Sequence, residues 1–215
     1  MSFRDLMTND VLESNILLIG LPYDKSTSIK AGAKKAPDLL RKLSEYLPPY
    51  TVSMNDLKPL KIYDEGNFYP KKNFESFDKL SDCLYYLLKM EKFTIFLGGD
   101  HAVSIATEKA FIKYAKDMNK IPVLFHLDAH ADICDFYDSS KLSHATPVKR
   151  AIDNGIDPNN VVLFGIRSYE DQEVEYLNEH KEIKVFSANN INENIDEVFK
   201  YIEKFKDSKY LVHVS

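Results

Sequence analysis

A short segment in the middle of the chain alternates metal-ligating residue types with apolar ones. His126, Asp128, His130 and Asp132 occupy every second position of this segment, which follows an apolar run. Successive side chains of an extended chain point to opposite faces, so these four side chains are predicted to share one face. Burying a carboxylate is costly unless it is paired or binds a metal ion. The spacing therefore predicts a metal site, and the alternative is a solvated strand end stabilised by salt bridges.

A second polar group follows the preceding apolar run. Residues 93–97 are mostly apolar and lead into Gly98-Gly99-Asp100-His101. Two glycines allow a tight turn and a close approach of the backbone to a ligand. Asp100 and His101 are therefore predicted to lie at the end of a strand, beside the first group. The alternative places Asp100 at the N-cap of the next helix and leaves His101 exposed.

The types of the candidate ligands indicate which metal they would hold. Carboxylates and imidazoles without a thiolate favour Mn²⁺ or another hard-to-borderline divalent ion over structural zinc. Several carboxylates can bridge a pair of ions about 3.5–4 Å apart that activates one water molecule. Cys134, two residues after Asp132, is interpreted as a small buried apolar residue. His144, in the following loop, is either a proton shuttle, since histidine is the side chain suited to proton transfer near neutral pH, or a surface histidine.

These residues must be positioned by the surrounding elements, which alternate between apolar runs and amphipathic segments. The predicted strands are residues 16–21, 60–63, 93–97, 122–128, 161–166, 183–186 and 210–214. The predicted helices are residues 36–47, 74–90, 102–116, 170–180 and 195–205. This alternation predicts an α/β fold, a mostly parallel sheet with helices on both faces. We predict one domain over residues 1–215, with its site at the carboxyl ends of the strands.

The overall composition argues against several classes of function. The chain has 215 residues, of which 44% are hydrophobic and 28% charged, and its net charge is -5. An acidic chain without a basic patch is not expected to bind nucleic acid. Because apolar runs stay below the ~18 residues of a membrane span and the N-terminus is polar, neither a membrane helix nor a signal peptide is expected. The two cysteines do not form a disulfide framework, which predicts a cytoplasmic protein.

Two of these motifs resemble those of a known enzyme family. Gly98-Gly99-Asp100-His101 and the Asp-Ala-His-Ala-Asp run that begins at Asp128 are similar to the first two signature motifs of the ureohydrolases. That family includes arginase, agmatinase and formimidoylglutamase. Residues 16–41, 64–67 and 164–167 also resemble segments of the family, so the similarity covers essentially the whole chain. It implies a three-layer α/β/α fold with a mostly parallel central sheet.

The resemblance also implies a role for each residue that matches a motif position. It implies two manganese ions per subunit, one held by His101 and Asp132 and the other by His130, with Asp128 bridging both. His144 matches the catalytic histidine that handles protons and helps hold the guanidino group. The leaving amine would be protonated through Asp128 or His144. Members of the family commonly form homotrimers or homohexamers.

Three positions depart from the family pattern or fall outside it. His126 matches no ligand position and is interpreted as a supporting or packing residue. The family's third motif, which supplies two more aspartate ligands, would begin where the chain reaches Ser215. We therefore expect a fragment that lacks C-terminal strands and helices, exposes apolar sheet surface, and binds metal weakly. Arginases place an asparagine that reads the α-carboxylate at the position of Leu142.

The substitution at Leu142 favours a substrate without an α-carboxylate. Agmatine is such a substrate, and its hydrolysis gives urea and putrescine. Another ureohydrolase, acting on arginine, guanidinobutyrate, guanidine or formimidoylglutamate, is the first alternative. A subunit of this fold that has lost catalysis and serves in assembly or regulation is the second.

Overall fold

Strands and helices alternate along the chain, as the hydrophobic pattern predicts. The structure, a computed structural model, describes Phe3 and residues 5–215. Within these residues the strands are β1 (Ile16–Leu21), β2 (Ile62–Asn67), β3 (Phe93–Gly98), β4 (Ile121–Leu127), β5 (Val161–Ile166), β6 (Lys184–Ser187) and β7 (Tyr210–Val214). The α-helices are α1 (Ala36–Ser44), α2 (Phe74–Leu88), α3 (Ser104–Asp117), α4 (Pro147–Asp153), α5 (Asp171–Glu179), α6 (Ala188–Glu193) and α7 (Ile195–Ile202). Short 3₁₀ turns lie at Ala33–Lys35, His101–Val103, Pro158–Asn160 and Glu203–Lys206.

The chain divides into two compact units, Met1–Val103 and Ser104–Ser215. The first unit contains a parallel sheet with the strand order β2-β1-β3. The second contains a parallel sheet with the order β6-β5-β4-β7. Helices pack on the strands of both sheets, which confirms the predicted α/β class with mostly parallel strands. The prediction of one domain over residues 1–215 stays a prediction.

Strand β4 lies in the interior of the second sheet, between β5 and β7. Interior strands of a parallel sheet are covered on both faces, which agrees with the apolar run of this strand. Helix α3 packs on β4 and β7, while α6 packs on β5 and β6. The core of this unit includes the buried side chains of Val123, Val162, Phe164, Phe186, Val198 and Phe205. The carboxyl end of β4 is therefore anchored in the core of the unit.

Strand β2 differs from its predicted range, and two helices were not predicted, each for a local reason. Strand β2 covers Ile62–Asn67 rather than residues 60–63, because the carboxylate of Asp64 is paired with Arg41 and does not interrupt the strand. Helices α4 and α6 are too short to show a helical period and begin at local capping signals, a proline and a Ser187 capping box respectively.

Helix α1 ends at Ser44, shortly before Pro48 and Pro49, instead of continuing through residue 47. The leucines that predicted it, including Leu39 and Leu43, are about half exposed rather than buried. Their 3–4 spacing therefore predicted the helix but not the face that it buries. Among the described residues, no helix has both the length and the apolarity needed to cross a membrane.

Candidate metal centre

Three of the predicted polar side chains meet where β4 ends. His126, Asp128 and Asp132 each offer one ligand atom, and these atoms lie within 4.8 Å of one another. His126 is fully buried and Asp132 is nearly so, while Asp128 is partly open to solvent. One imidazole and two carboxylates at this separation are able to surround a single cation.

The backbone after β4 is held by the neighbouring strand β5. The amide of Asp128 donates to the carbonyl of Phe164 at 3.1 Å, and the amide of Arg167 donates to the carbonyl of Ala129 at 2.8 Å. Gly165 lies between these two contacts with a φ of 82°, which favours glycine. A Cβ at Gly165 would lie 3.2 Å from the carbonyl oxygen of Asp128. The Gly-Ile-Arg segment therefore positions Asp128 through a close approach of two backbones.

His130 does not share the cluster, although it was predicted to lie on the same face. Strand β4 ends at Leu127 and the chain bends over residues 128–130, so the alternation of an extended strand no longer applies. The His130 side chain is 59% exposed, and its Nδ1 lies 3.3 Å from Oδ1 of Asp128. Its amide donates to the same oxygen at 2.9 Å. Asp128 therefore contacts His130 directly while also belonging to the cluster.

His126 supports the same bend from inside the unit. Its Nε2 lies 3.0 Å from the carbonyl oxygen of His130. A carbonyl can only accept a hydrogen bond, so this contact requires a proton on Nε2. The position fits the supporting role expected for His126, and it also brings the ring within reach of a cation held by Asp128 and Asp132.

Asp132 reaches the cluster through an unusual backbone conformation. Its φ is 49°, in the left-handed region that aspartate adopts more readily than most residues. Its carbonyl accepts a hydrogen bond from Val148 at the start of α4, 3.1 Å away. The next residue, Ile133, is also held, because its amide donates a hydrogen bond to the carboxylate of Glu173 at 3.3 Å. Burial raises the pKa of Glu173 above its ordinary value, partly offset by the backbone amides of Glu170 and Ile133.

Glu173 was missed by the sequence analysis. Its sequence signal is local: it stands three residues after Glu170 at the start of α5 and forms a capping box there. Its contact with Ile133 joins segments 40 positions apart, and only the fold reveals it.

The Gly-Gly-Asp-His motif lies at the end of β3 in the first unit. Asp100 is buried and accepts hydrogen bonds from the amides of Ala102 at 3.0 Å and Ser26 at 2.9 Å. Asp100 thus caps the following helical turn, but His101 is not exposed as that alternative expected, and the role of both residues at a metal site stays a prediction. A Cβ at Gly99 would lie 1.9 Å from the carbonyl oxygen of Tyr23, so this position requires glycine. His101 begins the 3₁₀ turn that follows and is partly buried.

His144 lies in a tight loop between the cluster and α4. The buried hydroxyl of Thr146 contacts the carbonyl oxygens of Lys141 and Ser143 at 2.8 and 3.0 Å and so fixes the loop. The ring of His144 is partly buried and packs edge-on against Tyr137, with a centroid distance of 5.2 Å. Leu142, which occupies the position of the arginase asparagine, is only 3% exposed.

The donor set at the end of β4 fits a divalent ion such as manganese. Carboxylate and imidazole donors converge there, and the nearby Cys134 does not belong to the cluster. Burial, with help from the carboxylates of Glu173 and Glu170, raises the pKa of Cys134 to about 12. Cys134 is fully buried, as predicted for a small apolar residue.

Comparison with known proteins agrees with the motifs and the fold. An agmatinase from Bacillus cereus is 34% identical over 170 residues, which cover 78% of this chain and 57% of that relative. The crystal structure of agmatine ureohydrolase from Thermoplasma volcanium has a TM-score of 0.83 at 26% identity and covers 99% of this chain and 69% of that chain. Formimidoylglutamase from Bacillus subtilis shares the fold, with a TM-score of 0.85 at 21% identity over 100% of this chain and 68% of that one.

The chain spans little more than half the length of the curated relative described above. The predicted arginase-like α/β fold is confirmed by the match to these longer structures. The model of the arginase family matches residues 14–215. Because this match covers nearly the whole chain and includes both signature motifs, the chain belongs to the arginase family.

Proposed function

We propose that this protein is an agmatinase, a binuclear manganese hydrolase that converts agmatine and water to urea and putrescine. The observation that carries the proposal is the cluster of His126, Asp128 and Asp132 at the end of β4. It lies within a motif typical of ureohydrolases, in a chain 34% identical to an agmatinase. Membership of the arginase family supports hydrolysis of a guanidino C–N bond.

The proposed ligands combine the cluster with the residues that match the family motifs. Asp132 and Asp128 come from the cluster, and Asp128 is assigned to both ions. The motif match adds His101 to the first ion and His130 to the second. The contact of His130 with Asp128 supports a shared role for these two side chains.

Divalent ions at such a site supply an activated water molecule at neutral pH. The chain's own residues then have two further tasks, orienting the guanidino group and delivering a proton to the leaving amine. We assign both to His144, whose ring is held by Tyr137 in a loop that Thr146 fixes. Asp128 is the second candidate for proton delivery.

The proposed preference for agmatine rests on Leu142. This side chain is buried and offers no hydrogen bond to an α-carboxylate. A site that lacks a partner for a substrate's charged group discriminates against that substrate, because the group loses water without compensation. Agmatine differs from arginine by the absence of this carboxylate.

We further propose that the protein acts in the cytoplasm, in putrescine formation, as a homotrimer or homohexamer. The acidic composition and the small number of cysteines support the location, and family membership supports the assembly. Light scattering of the purified protein tests the assembly: a monomer at micromolar concentration would refute it. Fractionation of the source cells tests the location.

Urea release from a panel of guanidino compounds tests the activity. Agmatine, arginine, guanidinobutyrate, guanidine and formimidoylglutamate are each supplied to the manganese-loaded protein, and bound metal is measured in the same sample. For the complete protein, with the residues that supply the remaining ligands, we expect the highest kcat/KM for agmatine and two ions per subunit. A higher kcat/KM for another compound would assign a different ureohydrolase activity. Protein that binds no metal and releases no urea would point to a non-catalytic subunit.

A further inference from the structure

Glu173 is a carboxylate in a place where carboxylates are rarely found. It lies in the first turn of α5 and is only 1% exposed. Glutamate is almost never fully buried unless its charge is compensated. A surface position would serve equally well for capping a helix, so capping alone does not account for its burial.

The compensation comes from backbone amides of two different segments. Oε2 of Glu173 accepts from the amide of Glu170 at 2.9 Å, which belongs to the start of its own helix. Oε1 accepts from the amide of Ile133, the residue after Asp132, at 3.3 Å. The carboxylate therefore joins the helix to the loop that carries the metal-ligating Asp132.

The loop is held at Asp132 from two sides. Glu173 binds the amide of Ile133, whereas the carbonyl of Asp132 in the same peptide group accepts from Val148 in α4. Asp132 itself has a φ of 49°, a conformation that non-glycine residues keep only when their surroundings enforce it. Without Glu173, the buried amide of Ile133 would lose its acceptor, and the restraint on this conformation would come from one side alone.

We propose that Glu173 is a positioning residue that holds the backbone of Asp132 in the left-handed conformation required for metal binding. The inference rests on the proposed metal site and extends it to a residue that does not touch the ion. Its carboxylate acts on the ligand through the peptide group that follows the Asp132 Cα. Groups that orient metal ligands in this way typically change metal affinity by about 10–100-fold when removed.

Substitution by glutamine tests the role of the second carboxylate oxygen. Glutamine has nearly the same shape, but one of its two terminal groups is a donor and cannot accept from an amide. In Glu173→Gln, one of the buried backbone donors therefore faces another donor. Glu173→Asp retains both carboxylate oxygens but shortens the side chain by one methylene. It therefore tests whether the length of the side chain matters rather than its charge. If Glu173→Gln does not fold, Glu173→Asp is measured in its place.

Two readouts separate positioning from general stability. The first is the dissociation constant for Mn²⁺, measured calorimetrically on protein that circular dichroism shows to be folded. We expect it to rise about 10–100-fold in Glu173→Gln. The second is hydrogen exchange of the metal-free protein. The amide of Ile133 is expected to exchange about tenfold faster or more, the worth of one hydrogen bond to a charged acceptor.

Two control variants complete the experiment. Glu175→Gln makes the same change at an exposed position of the same helix and should leave both readouts at wild-type values. Val198→Ala removes core volume elsewhere in the same unit and should lower the melting temperature without changing the Mn²⁺ affinity.

The possible outcomes distinguish this inference from the proposed function. Wild-type protein that binds no Mn²⁺ would overturn the metal site, while amide exchange would still decide whether Glu173 holds the loop. Wild-type affinity together with unchanged exchange in Glu173→Gln would overturn the inference and leave the metal site intact. If Val198→Ala lost as much Mn²⁺ affinity as Glu173→Gln, the loss would be explained by lower stability of the unit. That result would also overturn the inference.

Discussion

The guanidinium group of Arg41 binds the carboxylate of Asp64 through two hydrogen bonds, both 2.7 Å long. The same guanidinium donates to the carbonyl of Gly66 at 3.1 Å and to the side chain of Asn67. Arg41 ends one of the segments that resemble ureohydrolases, and Asp64 begins another. This bidentate ion pair links the two segments, whose paired residues are 23 positions apart in the sequence.

The geometry of this pair predicts that Arg41→Lys destabilises the first unit. A lysine keeps the charge but cannot donate two parallel hydrogen bonds to one carboxylate. We expect a loss of about 1–3 kcal/mol in the free energy of unfolding, measured by urea denaturation. Lys42→Arg, a conservative change at the exposed neighbouring position, should change it by less than about 0.5 kcal/mol. Equal stability of Arg41→Lys and wild type would show that the two parallel hydrogen bonds from the guanidinium group to Asp64 are not needed.

Asp128→Ala is expected to abolish metal loading and urea release together. The proposed role of Asp128 as a bridging ligand means that its removal affects both ions. Manganese is measured by elemental analysis of dialysed protein, and urea is measured on the same sample. Asp138→Asn, which alters an exposed aspartate of the same unit, serves as the control. An Asp128→Ala protein that remains active and fully loaded would contradict the assignment of the site.

His144→Ala should reduce turnover without reducing metal content. A positioned acid–base group contributes about 10²–10⁴-fold to kcat, and a loss in this range is expected. His180→Ala provides a matched control, because His180 lies in the same unit with its Nδ1 3.0 Å from Glu182. Loss of a metal ion from His144→Ala would identify His144 as a ligand and refute its proposed role.

The two cysteines should differ sharply in their reactivity toward alkylating agents. Burial raises the pKa of Cys134 to about 12, so this thiol stays protonated at pH 8.5, and its sulfur is also inaccessible. Cys83 is exposed and should react with iodoacetamide under native conditions. Mass spectrometry of peptides from the labelled protein counts both modifications. In denaturant both cysteines should be labelled, whereas rapid native labelling of Cys134 would show that the loop opens.

Much of the fold was predictable because its strands are apolar and bounded by polar residues. Strands β1, β5 and β7 lie where the sequence predicts them, residue for residue. Strand β2 was displaced because hydrophobicity does not reveal that a charged residue has a distant partner, as Asp64 has in Arg41. Short helices such as α4 begin at capping signals and are too short to show a hydrophobic period, so the hydrophobic pattern does not predict them.

The sequence predicted only the part of the candidate site that lies on the extended strand. Alternation predicted that His126 and Asp128 share a face, since both lie at the end of an extended strand. The same argument failed for His130, because the chain bends after Leu127. Asp132 joins the cluster through a left-handed backbone conformation that Glu173 and Val148 help to enforce. The contacts of these two residues with the loop cannot be predicted from sequence spacing.

The parallel sheet that carries the cluster has a consequence for the time at which the site can form. Parallel neighbours cannot be joined by a tight turn, so each pairing in this sheet waits for a crossover segment. Strand β4 pairs Ile121 with Tyr210 of β7, a strand made much later than β4. On the ribosome, β4 therefore leaves the exit tunnel well before one of its two partners exists. We expect the apolar strand that precedes Asp128 to depend on chaperones during this interval, and the metal site to form only after β7 has been made.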